Sequence, residues 1–208
     1  MREKKLVKFK LIAFDLDGVL INSIPNMEKA WKSTCTKHKL NISFSKYKKL
    51  IGLPFMEILK KLKIKENYIN IQKDYRFFSM NNINLIKLYP GIRSVLKKLN
   101  QKYKIAVITS KERRRALNIL KRKQLNYDIL VTPNDVKKGK PYPESAEKVL
   151  KKFSLKKSNM LYVGDTIFDY QFAKKSKISF FFANWGYGNI KKNKLKKINK
   201  PKDILNLI

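Results

Sequence analysis

The stretch Leu11-Ile12-Ala13-Phe14-Asp15-Leu16-Asp17-Gly18-Val19-Leu20 runs four apolar residues directly into two acids and a glycine. An unbroken apolar run of this length, closed by a turn residue, reads as a strand buried on both faces of a parallel sheet. In an extended chain, residues two apart point to the same side, so Asp15 and Asp17 enter one pocket. Gly18 lets the backbone turn immediately afterwards. An isolated Asp-x-Asp-Gly also occurs in turns and calcium loops. A calcium loop needs more oxygen ligands and a closing glutamate, for which Asn22 and Ser23 are poor substitutes.

Outward from this stretch, residues 105–108 and 160–163 read as further buried strands, and residues 129–131 and 178–182 as weaker ones. Amphipathic stretches at 92–99, 116–125, 145–153 and 168–175 alternate with them. That alternation predicts an α/β fold, a parallel sheet covered by helices on both faces. The interval 22–88 breaks the pattern. It carries helix-like segments at 27–38, 44–50, 55–63 and 66–78 and no convincing strand. The expected organisation is a core domain built from residues 1–21 and 89–208, with 22–88 inserted as an α-helical cap domain above the carboxyl ends of the strands. Tyr89-Pro90-Gly91 punctuates the return to the core. The Lys/Asn-rich run 190–200 reads as a solvated loop, and Pro201 opens a short apolar terminal helix over 204–208.

At 208 residues with 43% hydrophobic and 12% aromatic content, the chain can bury a substantial core and is not wholly disordered. The single cysteine, Cys35, excludes a disulfide scaffold and a cysteine-based zinc module. No apolar run approaches the ~20 residues that span a bilayer, so no membrane partner is expected and a cytoplasmic protein is. Lys+Arg 49 against Asp+Glu 15 leaves a net charge of +34, which raises the alternative of a nucleic-acid- or polyanion-binding protein. However, 42 of the 49 are lysines spread over nearly the whole chain, alongside 22 Ile and 18 Asn. That is the signature of A/T-dominated codons, whereas phosphate recognition favours arginine in a localised patch. Binding of nucleic acid is therefore expected only as nonspecific charge attraction.

Acids are scarce, so their placement is informative. Four of the eight Asp form two tight pairs, Asp15/Asp17 and Asp165/Asp169. Crowded carboxylates repel unless a cation or a shared proton compensates them. Asp165 and Asp169 follow a strand and a glycine in Gly164-Asp165-Thr166-Ile167-Phe168-Asp169, a spacing that predicts both on one face at a helix start, near its positive dipole end. Thr109-Ser110-Lys111 closes another strand with two hydroxyls and the amides of a helix start, although Ser110 also reads as an ordinary helix cap. In Lys140-Pro141-Tyr142-Pro143 a cation sits on a segment stiffened by two prolines. All four motifs fall at carboxyl ends of expected strands, where open α/β sheets bind ligands.

Together, Asp-Leu-Asp-Gly-Val-Leu, strand-Thr, Lys-Pro-x-Pro and Gly-Asp-x-x-x-Asp resemble the haloacid dehalogenase superfamily over almost the whole chain, in particular its phosphatase branch with a helical cap after the first strand. Trp185-Gly186-Tyr187-Gly188 looks most like the phosphoglycolate phosphatases within it. The resemblance implies a Rossmann-like, doubly wound parallel sheet and a Mg²⁺-dependent phosphatase that hydrolyses a small phosphorylated metabolite through an aspartyl-phosphate. By the same resemblance Asp15 is the nucleophile and Asp17 the acid/base. Thr109, the Ser110 amide and Lys140 hold the phosphoryl oxygens. Asp165, the Asp15 carboxylate and the Asp17 backbone carbonyl bind the metal, and Asp169 supports the metal waters. An acid at position 17 favours phosphate esters over the chemistry of dehalogenases, which lack it. The alternatives left open are a pyrophosphatase and a phosphomutase of the β-phosphoglucomutase kind, and either a monomer or a homodimer.

Substrate choice is expected from the cap, with Ser23 and Gly52 as candidates, Gly52 because it permits close backbone approach. Trp31, Cys35 and His38 have no partner cluster in sequence and read as packing or surface, and Phe77 and Phe78 as core.

Overall fold

The computed structural model describes residues 9–65, 67–190 and 195–208. In chain order the elements are β1 (Leu11–Phe14), β2 (Ile21–Asn22), α1 (Ile24–Lys37), α2 (Phe44–Lys48), α3 (Phe55–Lys61), α4 (Tyr68–Asn81), β3 (Lys87–Leu88), α5 (Ile92–Leu99), β4 (Lys104–Ile108), α6 (Arg113–Arg122), β5 (Ile129–Val131), α7 (Glu144–Lys152), β6 (Met160–Gly164), α8 (Ile167–Ser176), β7 (Ser179–Ala183) and β8 (Lys197–Ile198). Six strands form one parallel sheet in the order β5-β4-β1-β6-β7-β8. The Asp15 strand therefore lies near the middle, flanked by β4 and β6, whose ends carry Thr109 and Asp165.

The alternation of side chains along β1 builds two cores. Ile12 and Phe14 face one layer, with Ile105, Val107, Leu161 and Val163 from the neighbouring strands against α5 and α6. Leu11 and Ala13 face the other, with Ala106, Ile108, Met160 and Tyr162 against α7 and α8. Both faces are dry, which is why β1 is apolar at every position. The helices present matching stripes: Ile92, Val95, Leu96 and Leu99 of α5 follow the i, i+3, i+4, i+7 spacing of one buried face.

Helices α1 to α4 bury a separate apolar cluster of their own, centred on Trp31, Tyr47 and Tyr75. The Trp31 and Tyr47 rings lie 4.7 Å apart between centroids, and Phe55 stacks on Tyr75 at 4.5 Å. Trp31 is fully buried and its indole donates to the Ile42 carbonyl. His38 pairs with Asp74 at 2.8 Å on the cap surface. The chain enters and leaves this unit through a two-stranded antiparallel ribbon that pairs Ile21 with Leu88 and Asn22 with Lys87.

Four expectations need correction. Two-residue strands β2 and β3 replace the strandless entry and exit, because pairs so short have no periodicity to read. Residues 197–198, expected in a solvated loop, pair with β7 as the parallel edge strand β8, while residues 191–194 of that run lie outside the described residues. The terminal segment is a 3₁₀ turn over Pro201–Asn206 that buries Ile204 and leaves Leu207 exposed. Finally, Phe77 is 57% exposed: it lies on the outer face of α4, between Tyr75 and Ser79 of the buried stripe.

Phe14 is fully buried at the centre of the larger core. Phe14→Ala is expected to cost about 3–5 kcal/mol of stability in urea denaturation. A loss below about 1 kcal/mol would contradict the placement of β1.

Candidate active site

The end of β1 continues its pairing one residue beyond the strand, with the Asp15 amide donating to the Val163 carbonyl at 2.9 Å. This sets Asp15 beside the residues that follow β6. Asp15, Asp165 and Asp169 are all buried, and each offers a carboxylate oxygen within 4.8 Å of the others. Lys140, 2% exposed, reaches in from the loop before α7. Its Nζ lies 2.8 Å from Asp15, 2.6 Å from Asp169 and 2.9 Å from the Tyr162 hydroxyl. Tyr162 in turn donates to Asp169 at 2.8 Å.

The sequence expectation for Asp165 is revised in one respect. The helix begins at Ile167 with Thr166 as its N-cap, and Asp169 closes a reciprocal capping box with Thr166. Asp165 therefore stands one residue before the cap, not on the helix. The two acids still converge, because Asp169 accepts from the Asp165 and Thr166 amides at 3.3 and 2.9 Å. Asp165 Oδ2 accepts the Tyr187 amide at 2.7 Å, while the buried Oδ1 has no partner among the described residues.

The electrostatics follow from this crowding. Burial pushes Asp15 up to about 7, against the pull of Lys140 and with the neighbouring Asp169 and Asp17 carboxylates adding to the rise. Burial, Asp169 and Asp15 push Asp165 well above the ordinary carboxylate range. Asp169 goes the other way: burial opposes ionisation, but the Lys140 charge and hydrogen bonds from Lys140, Thr166 and Tyr162 hold it below the usual value. Lys140 is held above the ordinary lysine range, its burial outweighed by Asp15 and Asp169. Three buried carboxylates thus share one ammonium group. An all-oxygen donor set, one unpartnered inward oxygen on Asp165 and surplus negative charge suit a hard divalent cation.

Asp17 is placed differently. Its carboxylate accepts from the fully buried Ser23 hydroxyl and pairs with Lys111 Nζ at 3.0 Å. The Ser23 hydroxyl also lies 3.1 Å from that of Tyr187, which donates to the Ile21 carbonyl and accepts the Ser23 amide. Burial and the neighbouring Arg115 charge push Lys111 down to about 8, with Asp17 opposing. Lys111 was invisible among 42 lysines, and only the fold singles it out. Tyr187 sits in the quoted Trp-Gly-Tyr-Gly stretch, but that its hydroxyl reaches Ser23 while its amide holds Asp165 was not legible.

Thr109 is buried at the end of β4, its hydroxyl accepting the Lys111 amide at 3.2 Å. Ser110 does not cap a helix: α6 starts at Arg113, and the Ser110 hydroxyl donates to the Gly52 carbonyl at 2.6 Å. Gly52 thereby touches the core directly. A cleft of about 50 Å³ between helices α1–α4 and the strand ends is lined by Asp15, Asp17, Gly52, Thr109 and Ser110, with Met27, Phe55, Tyr75 and Arg76 from the helical side. The expected residues therefore gather at one end of the sheet, with Asp15, Asp17, Gly52, Thr109 and Ser110 on the cleft wall and Lys140, Asp165 and Asp169 packed behind Asp15.

Comparison with known proteins shows the family of the chain. The family model described as "Haloacid dehalogenase-like hydrolase" matches residues 12–183. A phosphorylated carbohydrates phosphatase from Thermotoga maritima is 27% identical over 95% of this chain and 97% of its own length. A phosphoglycolate phosphatase from Aquifex aeolicus is 29% identical over 86% of each chain. Among solved structures, a Lactobacillus plantarum protein provisionally described as a phosphoglycolate phosphatase superposes with a TM-score of 0.85 at 23% identity, over 97% of this chain and all of the other. Among the described residues no helix is long and apolar enough to cross a membrane.

Two glycines separate backbone strain from crowding at the site. Gly18 has φ +88°, and a Cβ there would lie 2.1 Å from Asp165 Oδ2; Gly91 has φ +82° and nothing within 4 Å. Both alanine variants should lose about 1–2 kcal/mol to the left-handed backbone. Where a divalent cation such as Mg²⁺ raises Tm by binding the native state, only Gly18→Ala should also lose that rise. An unchanged Mg²⁺ response in Gly18→Ala would show that the cation does not sit against Asp165.

Proposed function

We propose that this chain, which belongs to the haloacid dehalogenase-like hydrolases and is a phosphatase, acts in the cytoplasm as a Mg²⁺-dependent hydrolase of a small phosphorylated metabolite. In this reading residues 22–88 are the cap that closes over the substrate and residues 1–21 and 89–208 are the core that carries the chemistry. The observation that carries it is the meeting of Asp15, Asp165, Asp169 and Lys140 beside a cleft roofed by residues 22–88.

Asp15, Asp165 and the Asp17 carbonyl would hold Mg²⁺, with Asp169 supporting its waters. When bound, the ion offsets the repulsion between an anionic nucleophile and an anionic phosphoryl group. The Asp15 carboxylate attacks phosphorus and forms an acyl phosphate, so that one difficult hydrolysis becomes two easier steps. Lys140 fixes the nucleophile, since one ammonium bridges Asp15 and Asp169. From behind Asp15, its charge also offsets the negative charge that builds on the phosphoryl group as the bond breaks. The Thr109 hydroxyl and Ser110 amide hold the other phosphoryl oxygens. Asp17 protonates the leaving oxygen and then takes a proton from the water that releases phosphate. Ser23 and Lys111 hold its carboxylate in place for both transfers. The cleft between residues 22–88 and the strand ends holds only about 50 Å³, which supports a small leaving group over a macromolecule.

Turnover of p-nitrophenyl phosphate tests the reading directly. Asp15→Asn should lower kcat by more than about 10³-fold, as removal of a nucleophile does, and a variant that retains most of its turnover would overturn the mechanism. Chelation by EDTA should abolish turnover and added Mg²⁺ restore it. Activity that survives exhaustive chelation would remove the metal from the account.

A further inference from the structure

The charges lining the cleft can be paired one by one. Asp15 is met by Lys140 at 2.8 Å, Asp17 by Lys111 at 3.0 Å and Glu112 by Arg76 at 2.7 Å. Arg115 of α6, in the wall of the same cleft, is left over. It is 6% exposed and, among the described residues, forms no ion pair. Its contacts are neutral: Nη2 donates to the Ser79 hydroxyl at 2.7 Å, the Tyr75 ring centroid lies 5.0 Å from Cζ, and the buried Nε has no partner.

A guanidinium cannot shed its proton to escape burial, so an unpaired one in a dry site is costly unless something anionic completes it. The side chain is also held in place. Ser79 Oγ donates to Asn26 Oδ1 at 2.7 Å, and Asn26 is anchored on the Ser79 and Asn82 carbonyls. The fork is thus fixed between the core helix and the cap, in the cleft wall, with its Nε unpartnered and, among the described residues, no anion paired with it. Planar forks of this kind suit a carboxylate or a phosphoryl group bidentately.

We propose that Arg115 receives a second anionic group of the substrate, so that the enzyme acts on a phosphate ester or anhydride whose leaving group is itself negatively charged, through a carboxylate or a second phosphoryl. This rests on the reading of the cleft as a phosphatase site. Arg115 is a specificity residue here: it touches the leaving group's charge and takes no part in bond breaking.

Three phosphonates that the enzyme cannot hydrolyse separate the possibilities by calorimetry at one free Mg²⁺ concentration. Phosphonoacetate carries a carboxylate, methylenediphosphonate a second phosphoryl, and ethylphosphonate neither. At least one of the first two should bind about tenfold or more tightly than ethylphosphonate, the scale of a charge-assisted bond, and the tighter of them identifies the anion. In Arg115→Met that advantage should shrink to within about threefold, and Arg115→Lys should restore part of it. Equal affinity for all three in the wild type overturns the proposal. So does an advantage that survives Arg115→Met, or a parallel loss for all three in a variant that still melts cooperatively, which would mark Arg115 as a strut between cap and core. If p-nitrophenyl phosphate is turned over while the three bind equally, only this inference falls; if nothing is turned over and nothing binds, the phosphatase reading falls with it.

Discussion

Three carboxylates and one ammonium group, all shut away from water, set the terms for the rest of the molecule. Asp15, Asp165 and Asp169 come from two adjacent strands and the helix after the second, and Lys140 bridges only two of them. Burial raises Asp15 and Asp165 above the ordinary range, and their mutual repulsion adds to it. Such an arrangement is tolerable only in a fold that makes it unavoidable. The parallel register of β1 against β6 does so, since the Asp15 amide is already committed to the Val163 carbonyl. The fully apolar layers on both sheet faces supply the stability that the site itself consumes.

The loop after β7 closes this centre from above. Gly186 and Gly188 pass so near Asp165 that a Cβ on either would fall within 2.2 Å of it, and Tyr187 between them donates its amide to the carboxylate. The same residue's hydroxyl reaches Ser23 at the start of the cap. Asp165, Asp17 and the helical unit of residues 22–88 are thus joined through one tyrosine. The absence of side chains on either side of it is a packing requirement.

Legibility in the sequence divided along physical lines. Strands buried on both faces are uninterrupted apolar runs, so β1, β4, β5, β6 and β7 were readable, and the amphipathic helices between them followed. The sparse aspartates also stood out, because acids without partners in a lysine-rich chain need a reason. What escaped was whatever depends on one contact across the fold. Strands β2, β3 and β8 are two residues each and exist only through their pairing partners. Ser110 reads as a cap until the Gly52 carbonyl is beside it. Lys111 and Arg115 are two cations among 49, and nothing local distinguishes the one that meets Asp17 from the one that meets no acid. Chain spacing alone put Asp165 on the helix, whereas the competition for the N-cap went to Thr166.

The ribbon that joins the two units has a consequence for how they are coupled. Both passages of the chain lie side by side in four residues, and Ser23 follows directly on the first of them. The hydroxyl that orients Asp17 is therefore mounted on the pivot and not at the rim. A swing of the helical unit about that pivot would change the rim contacts, such as Ser110 with Gly52, by the largest amount and the Ser23 contact by the smallest. In the reading proposed above, the acid/base geometry would in this way be insulated from the amplitude of such a swing, as the axle of a door barely moves while its edge travels.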